Sequence, residues 1–372
     1  MSTTEKKLAF HRRTAAGAQA WGTEIAVAAL DGLPYDSESL PKAVDLLDDQ
    51  GPDLSKQLTA YPGNFTKNEG TTEHKARFLS FGDVLACIFG KDTATLADVT
   101  AYTHKLEILR GSDMLNKFGT LALDENTDGH GINVWPSAKP RGFMLEGDAA
   151  SGAPLKLTLD WMVNYLLAGS SSSVNTATEL GNVTYRSRVL PIMPYMGVWR
   201  ILKVTGAEAS LGASHIIRPS KFSIGVKRNL AAQFTTDDGT GGNNAQGTFE
   251  PEHAGYDEFT LSMTLNKQSS GTKAFFDSVA ALATDTIGQW KADVTFTSPQ
   301  TITGSTSKYS QIFRWPNLAI TPESAAKIAN PHLNEVTLAF KVLGVTSAPA
   351  GMTVTNEMEA VLQDDVSTDY DA

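Results

Sequence analysis

Cysteine occurs once in 372 residues, as Cys87. A lone thiol excludes an intramolecular disulfide framework and a cysteine-rich zinc cluster, and it suits a reducing compartment. Long apolar runs are missing too: no stretch approaches the roughly 18 residues that a membrane-spanning helix needs. The opening MSTTEKKLAFHRRTAAGAQAWG carries basic residues but no continuous apolar core of the kind found in a secretory leader. The chain is therefore expected to be soluble and unsecreted, which leaves the triplets Asn64-Phe65-Thr66 and Asn182-Val183-Thr184 without weight as glycosylation sites. Positive charge is scarce. The formal net charge is −10, and residues 351–372 hold Glu357, Glu359, Asp364, Asp365, Asp369 and Asp371 with no Lys or Arg. Such a balance repels phosphate and argues against a grip on nucleic acid.

Signatures of catalysis or metal binding are equally thin. DENTDGHG places Asp124, Asn126, Asp128 and Gly129 at positions 1, 3, 5 and 6 of a calcium loop, but position 12 is Trp135 and no helices flank it. A polar β-turn is the expectation. DDGTGGNNAQG lacks the Gly-Lys-Ser/Thr end of a phosphate loop, so it reads as a mobile loop, and its adjacent Asp237 and Asp238 read as solvated. His11, His74, His104, His130, His215, His253 and His332 show no metal-ligand spacing and no neighbouring nucleophile motif. No catalytic, cofactor-binding or metal-binding residue is assigned, no cofactor is expected, and the chain is not read as an enzyme.

What the sequence does contain is alternation. Leu155, Leu157, Leu159, Trp161 and Val163 interleave with Lys156, Thr158, Asp160 and Met162, the period of a strand with one buried side. Phe143 and Leu145 begin a matching arm, and GDAASGAP joins the two as a β-hairpin. The same period recurs at Phe222/Ile224/Val226, Phe259/Leu261/Met263/Leu265, Val294/Phe296 and Val336/Leu338/Phe340/Val342, which predicts a mainly antiparallel β protein. Two helices are predicted. SFGDVLACIFG offers Ser80 as N-cap and stops at Gly90, and GTKAFFDSVAALATD places Phe275, Val279 and Leu282 on one face.

The order of these elements suggests a duplication. Strand-like residues 32–46, a strand near 73–79, the helix at 81–89, a strand at 102–109 and the hairpin at 142–165 match KFSIGVKRNL, YDEFTLSMTLN, the helix at 272–283, KADVTFT, SQIFRW and NEVTLAFKVLG. The division this predicts is a first unit at 1–185 with an N-terminal arm at 1–20, a second at 186–349, and an acidic tail at 350–372.

The run AGAQAWGTEIAVAALDGLPYDSESLP, with Trp21-Gly22-Thr23-Glu24, Leu33-Pro34 and Ser37-Glu38-Ser39-Leu40, resembles the opening of tail tube proteins of long-tailed bacteriophages. AYTHKLEILRG, FGTLALDEN, Phe143-Met144-Leu145-Glu146-Gly147, LKLTLDWMV and IRPSKFSIGVKRNL followed by YDEFTLSMTL are similar to later parts of that family. HGINVWPSAKP, which reads as an insertion, and the acidic tail depart from it. The resemblance implies a tail-tube-type β-sandwich or barrel with flanking short helices, and with the repeated element order it gives two diverged copies per chain. It also implies a structural virion protein that stacks as rings around a conduit for double-stranded DNA, which passes without specific binding. Implied partners are further copies of the chain, three per ring if duplicated and six if not, with tape measure, tail terminator and distal tail proteins and no membrane. The implied location is the virion tail, assembled in the bacterial cytoplasm. The polar hairpin face would then line the bore as a net-acidic, repulsive wall, while the acidic tail and the first 20 residues would bridge rings or stay disordered before assembly. The competing readings are a tail terminator or capsid decoration subunit, or a carbohydrate-binding β-sandwich.

Overall fold

The alternating segments form strands, and the chain is mainly β with every pairing between named strands antiparallel. The computed structural model describes residues 6–13, 20–42, 46–49, 59–62, 68–127, 130–168, 172–186, 190–204, 208–234, 248–266, 289–321 and 335–371. The predicted helix at 272–283 and the Gly-rich stretch at 237–247 lie outside these.

The first half opens with β1 (Lys7–Arg12), β2 (Gly32–Leu33) and β3 (Ser37–Glu38). A separate hairpin, β4 (Leu46–Asp49) with β5 (Thr59–Pro62), precedes β6 (Glu69–Lys75) and helix α1 (Gly82–Phe89). Next come β7 (Gly90–Lys91), β8 (Ala94–Asp98) and β9 (Ala101–Ile108). The long arms are β10 (Gly119–Thr127), β11 (His130–Asp148) and β12 (Lys156–Val163), closed by the short β13 (Leu167–Ala168) and helix α2 (Ala177–Asn182). The second half has β14 (Gly197–Lys203), β15 (Ile216–Ile217) and β16 (Pro219–Lys227), then the hairpin of β17 (Leu230–Gln233) and β18 (Phe249–His253). It finishes with β19 (Glu258–Asn266), β20 (Gln289–Thr301), β21 (Lys308–Ile320), β22 (Glu335–Leu343) and β23 (Glu359–Asp364).

The pairing order of the first half recurs in the second. β2–β1–β10–β11–β12–β6–β3 is matched by β15–β14–β20–β21–β22–β19–β16, and the short β13 on β11 by β23 on β21. Pairing equates β20 with β10 rather than with the 102–109 strand, because β9 bonds to β7, β8 and β23 and never to β11. The halves are sewn together twice. β11 pairs with β16 over Gly142–Asp148, and β23 lies between β9 and β21.

One apolar core spans both halves. Phe143 of β11 stacks on Phe313 of β21 with ring centroids 5.9 Å apart, and Trp199 of β14 meets Phe222 of β16 at 4.9 Å. Trp161 is fully buried, and its indole N–H donates to the Thr72 hydroxyl at 2.9 Å, so its polar end is satisfied inside the core. Helix α1 is buried nearly all round instead of along one stripe. Its N-cap is Phe81, with no side-chain cap bond, instead of Ser80; Gly90 ends it in the left-handed region at φ 103°. Burial pushes the Cys87 thiol up to about 12.

HGINVWPSAKP forms the first half of β11, held by pairing with β10, and it buries Trp135 completely. Two expectations need correction. Within the arm predicted at 1–20, residues 7–12 are not free: they form β1 between β10 and β2. Nor is 350–372 a free acidic tail, because β23 fills a slot between two strands and its carboxylates meet cations there. Along one level of that layer run the ion pairs Arg200–Asp293, Arg314–Glu359, Lys105–Glu359, Lys105–Glu107 and Lys91–Glu107.

Candidate functional site: the hydrophilic sheet face

β6, β12, β11, β16, β19 and β22 lie side by side, bury one face in the core and leave the other wet. Reading across the strands, one level runs Thr71, Asp160, Gly142, Lys227, Glu258 and the next Glu73, Thr158, Met144, Gly225, Thr260. A third runs Lys75, Lys156, Glu146, Ser223, Ser262, Ala339, and a fourth Asp148, Lys221, Thr264, Thr337. Short side chains dominate. Hydroxyl pairs tie neighbouring strands, Ser223 to Ser262 and Thr264 to Thr337 at 2.9 Å each.

The face carries both signs. Among the described side chains, its carboxylates are Glu69, Glu73, Glu146, Asp148, Asp160 and Glu258, and its cations are Lys75, Arg141, Lys156, Lys221, Lys227 and Lys341. Lys156 reaches Glu73 at 2.6 Å and Lys221 reaches Asp148 at 3.1 Å. Hydrogen bonds from Lys156 and then Ser37 hold the Glu73 carboxyl below its usual range. The described side chains of the face are balanced, so the net-acidic wall expected from the chain's overall charge is not what they present. Average charge says nothing about which side of a sheet holds it.

Arg141 comes from a bulge. The β11–β12 register slips between Pro140 and Gly142, where β11 leaves β10 and takes β16 as its partner. The extra residue turns its guanidinium onto the wet face, where it donates to Glu69 at 2.6 and 2.9 Å and to Asp160 at 2.8 Å. Burial raises the Asp160 carboxyl even against the pull of Arg141. Gly142 then has no room for a side chain: a Cβ there would sit 2.3 Å from the Val226 carbonyl oxygen.

The residues singled out for chemistry are scattered. Asp124 and Asn126 lie on β10 and His130 opens β11, so the calcium-like segment is the end of a hairpin; Asp128 and Gly129 lie outside the described residues, as do Asp237, Asp238 and His332. His74 is buried, bonded to the Pro34 carbonyl and the Thr72 hydroxyl, and burial pushes it down to about 4. His104 is the exception that sequence reading missed. Its Nδ1–H donates to Asp92 at 2.6 Å, its Nε2–H donates to the Val366 carbonyl at 2.9 Å, and Asp364 stands 3.3 Å away. Burial alone would lower its pKa, but the hydrogen bonds to Asp364 and Asp92 raise it to about 10. Tyr370 closes the cluster, its hydroxyl donating to Asp364 at 2.8 Å and its backbone N–H to Asp92 at 2.6 Å. With no solvent access to His104, Asp92 or Asp364, the cluster is a clasp that pins residues 364–370 to the first half. Its partners stand up to 262 residues from His104 in sequence, which no local pattern reveals.

No helix among the described residues is long and apolar enough to cross a membrane. No family model matches the chain, and no curated protein matches it.

Proposed function

We propose that the chain is a structural virion protein whose copies join into stacked rings, the tail tube of a long-tailed bacteriophage, leaving a hollow path for DNA. The observation that carries the reading is the repeated strand order, with two like units joined edge to edge so that one continuous sheet keeps a single hydrophilic side. A unit that pairs its edge with the next can continue the pattern between molecules. Two diverged copies per chain make three chains a ring of six units.

The wet face suits a bore. Duplex DNA presents a charge about every 1.7 Å of axis, and a row of free cations would bind it with release of counterions. Here lysines such as Lys156 and Lys221 are tied to carboxylates beside them, and hydroxyls fill the remaining surface. A balanced, hydrated wall offers DNA neither a positive track nor a net barrier. The implied partners are the tape measure and the proteins that cap the tube, in a virion tail assembled in the bacterial cytoplasm, with no enzymatic turnover.

Negative-stain microscopy of concentrated purified protein tests this. Hollow filaments or stacked rings are expected, with trimers by light scattering as the smallest closed species. Closed rings that never stack would favour a tail terminator or decoration subunit. A monomer at every concentration would overturn the proposal.

A further inference from the structure

The recurrence of strand order breaks at one edge. In the second half β16 is covered on both sides, by β19 on one and by β11 over Gly142–Asp148 on the other. Its counterpart is β3, which follows β2 as β16 follows β15 and pairs with β6 as β16 pairs with β19. Among the described residues, β3 has a strand on its β6 side only. Two adjoining clefts of about 370 and 270 Å³ share Lys6 and Tyr35, and Ser37 and Glu38 of β3 line the smaller one together with Leu123 and Glu125 of β10.

We infer that the outer edge of β3 receives a strand from the second half of another copy of this chain, repeating between molecules the joint that β11 and β16 make within one. An uncovered row of backbone amides and carbonyls is a template for strand addition. Ser37 and Ser39 beside it are exposed, with their hydroxyls bonded to Glu73 and Thr71 of β6. The intramolecular joint shows what such an edge accepts in this fold: a strand running antiparallel, with Asp148 meeting Lys221 across the junction. A joint between unlike edges is head to tail, and it closes into a ring when the rotation per unit divides the circle. The inference deepens the assembly proposed above and rests on it.

Two measurements on the full chain test it. Glu38→Pro removes the β3 amide that alternation turns away from β6, since Ser39 N–H bonds Thr71 and Ser37 faces Glu73, while Leu96→Lys alters β8, an exposed edge elsewhere in the molecule. In sedimentation velocity, Glu38→Pro is expected to raise the concentration needed for association at least about 30-fold, and Leu96→Lys to leave it within about twofold. Hydrogen exchange on the unaltered protein needs no variant. Amides of residues 36–40 are expected to exchange at least about tenfold more slowly in the assembled than in the dilute protein, while those of β8 do not change. Assembly without added protection at 36–40 would overturn this edge as the joint and leave the tube reading standing. A chain that stays monomeric would overturn both.

Discussion

Two charged arrays in this molecule use the same residue types to different ends. On the wet face, Lys156 and Glu73 keep 48% and 41% of their side chains exposed, and water screens the pair. In the layer around β23, Glu359 is 1% exposed between Arg314 and Lys105, and His104, Asp92 and Asp364 are fully enclosed. Exposed pairs contribute about 0–1 kcal/mol, whereas removing one partner of a buried pair costs about 3–5 kcal/mol because a charge is left stranded. The first array therefore sets what the surface offers to other molecules, and the second decides whether the C-terminal strand stays in place. Acidic residues that look like a solvated tail are internal partners.

The largest effect should come from Asp364→Ala, which strips His104 and Tyr370 of a shared acceptor. A loss of about 3–5 kcal/mol in urea unfolding is expected, with protease cleavage appearing after residue 350. A cost under about 1 kcal/mol would erase the distinction between the arrays.

Next in size is the pH dependence of the same clasp. The His104 pKa rises from 6.5 to about 10 on folding, so its contribution is complete below pH 6.5 and is lost as pH climbs toward 10. Stability should fall by about 1 kcal/mol per pH unit across that window, and His104→Gln should flatten the slope. The Tyr370 phenol, raised well above 10 by burial, stays protonated throughout.

Gly82→Ala should come third. Alanine favours a helix, but a Cβ at Gly82 would lie 2.2 Å from the Tyr370 ring, so the ring must leave its seat on α1. A net loss of about 1–3 kcal/mol and a weaker near-ultraviolet signal from Tyr370 are expected.

Much of the fold was legible because one-sided strands announce themselves. Leu157, Leu159, Trp161, Ile224, Leu261, Met263, Val294, Phe296, Leu338 and Phe340 are buried as their alternation predicts. What local pattern cannot carry is partnership at long range. GVWRILK of β14 sets Val198 beside Trp199 and Ile201 beside Leu202, so it lacks the strict alternation of the others, and its place opposite β20 depends on residues about 90 positions away. Arg141 falls out of phase because a bulge turns it, and β23 reads as a polar tail because Glu359 and Asp364 find their cations and imidazole only after folding. The wet face was visible as alternating Thr, Ser and charge, but its balance required the register that sets Lys156 beside Glu73.

The smallest effect on stability and the most direct one on function should come from the wet face. Lys156→Ala is expected to move the melting temperature by less than about 2 °C, since water replaces the lost partner of Glu73. Reversing Glu73, Glu146 and Asp148 to lysine together should again leave the fold in place, because all three project from the sheet into solvent. It would also free Lys156 and Lys221 from their carboxylates and leave a continuous positive track. The assembled variant should retain double-stranded DNA at low salt and release it as salt rises, with affinity falling by about 0.9 log units per log unit of salt for each phosphate engaged. The unaltered assembly should retain none under the same conditions. Equal retention by both would mean that this face does not line the path, whereas retention by the variant alone would tie its balanced charge to passage of the genome.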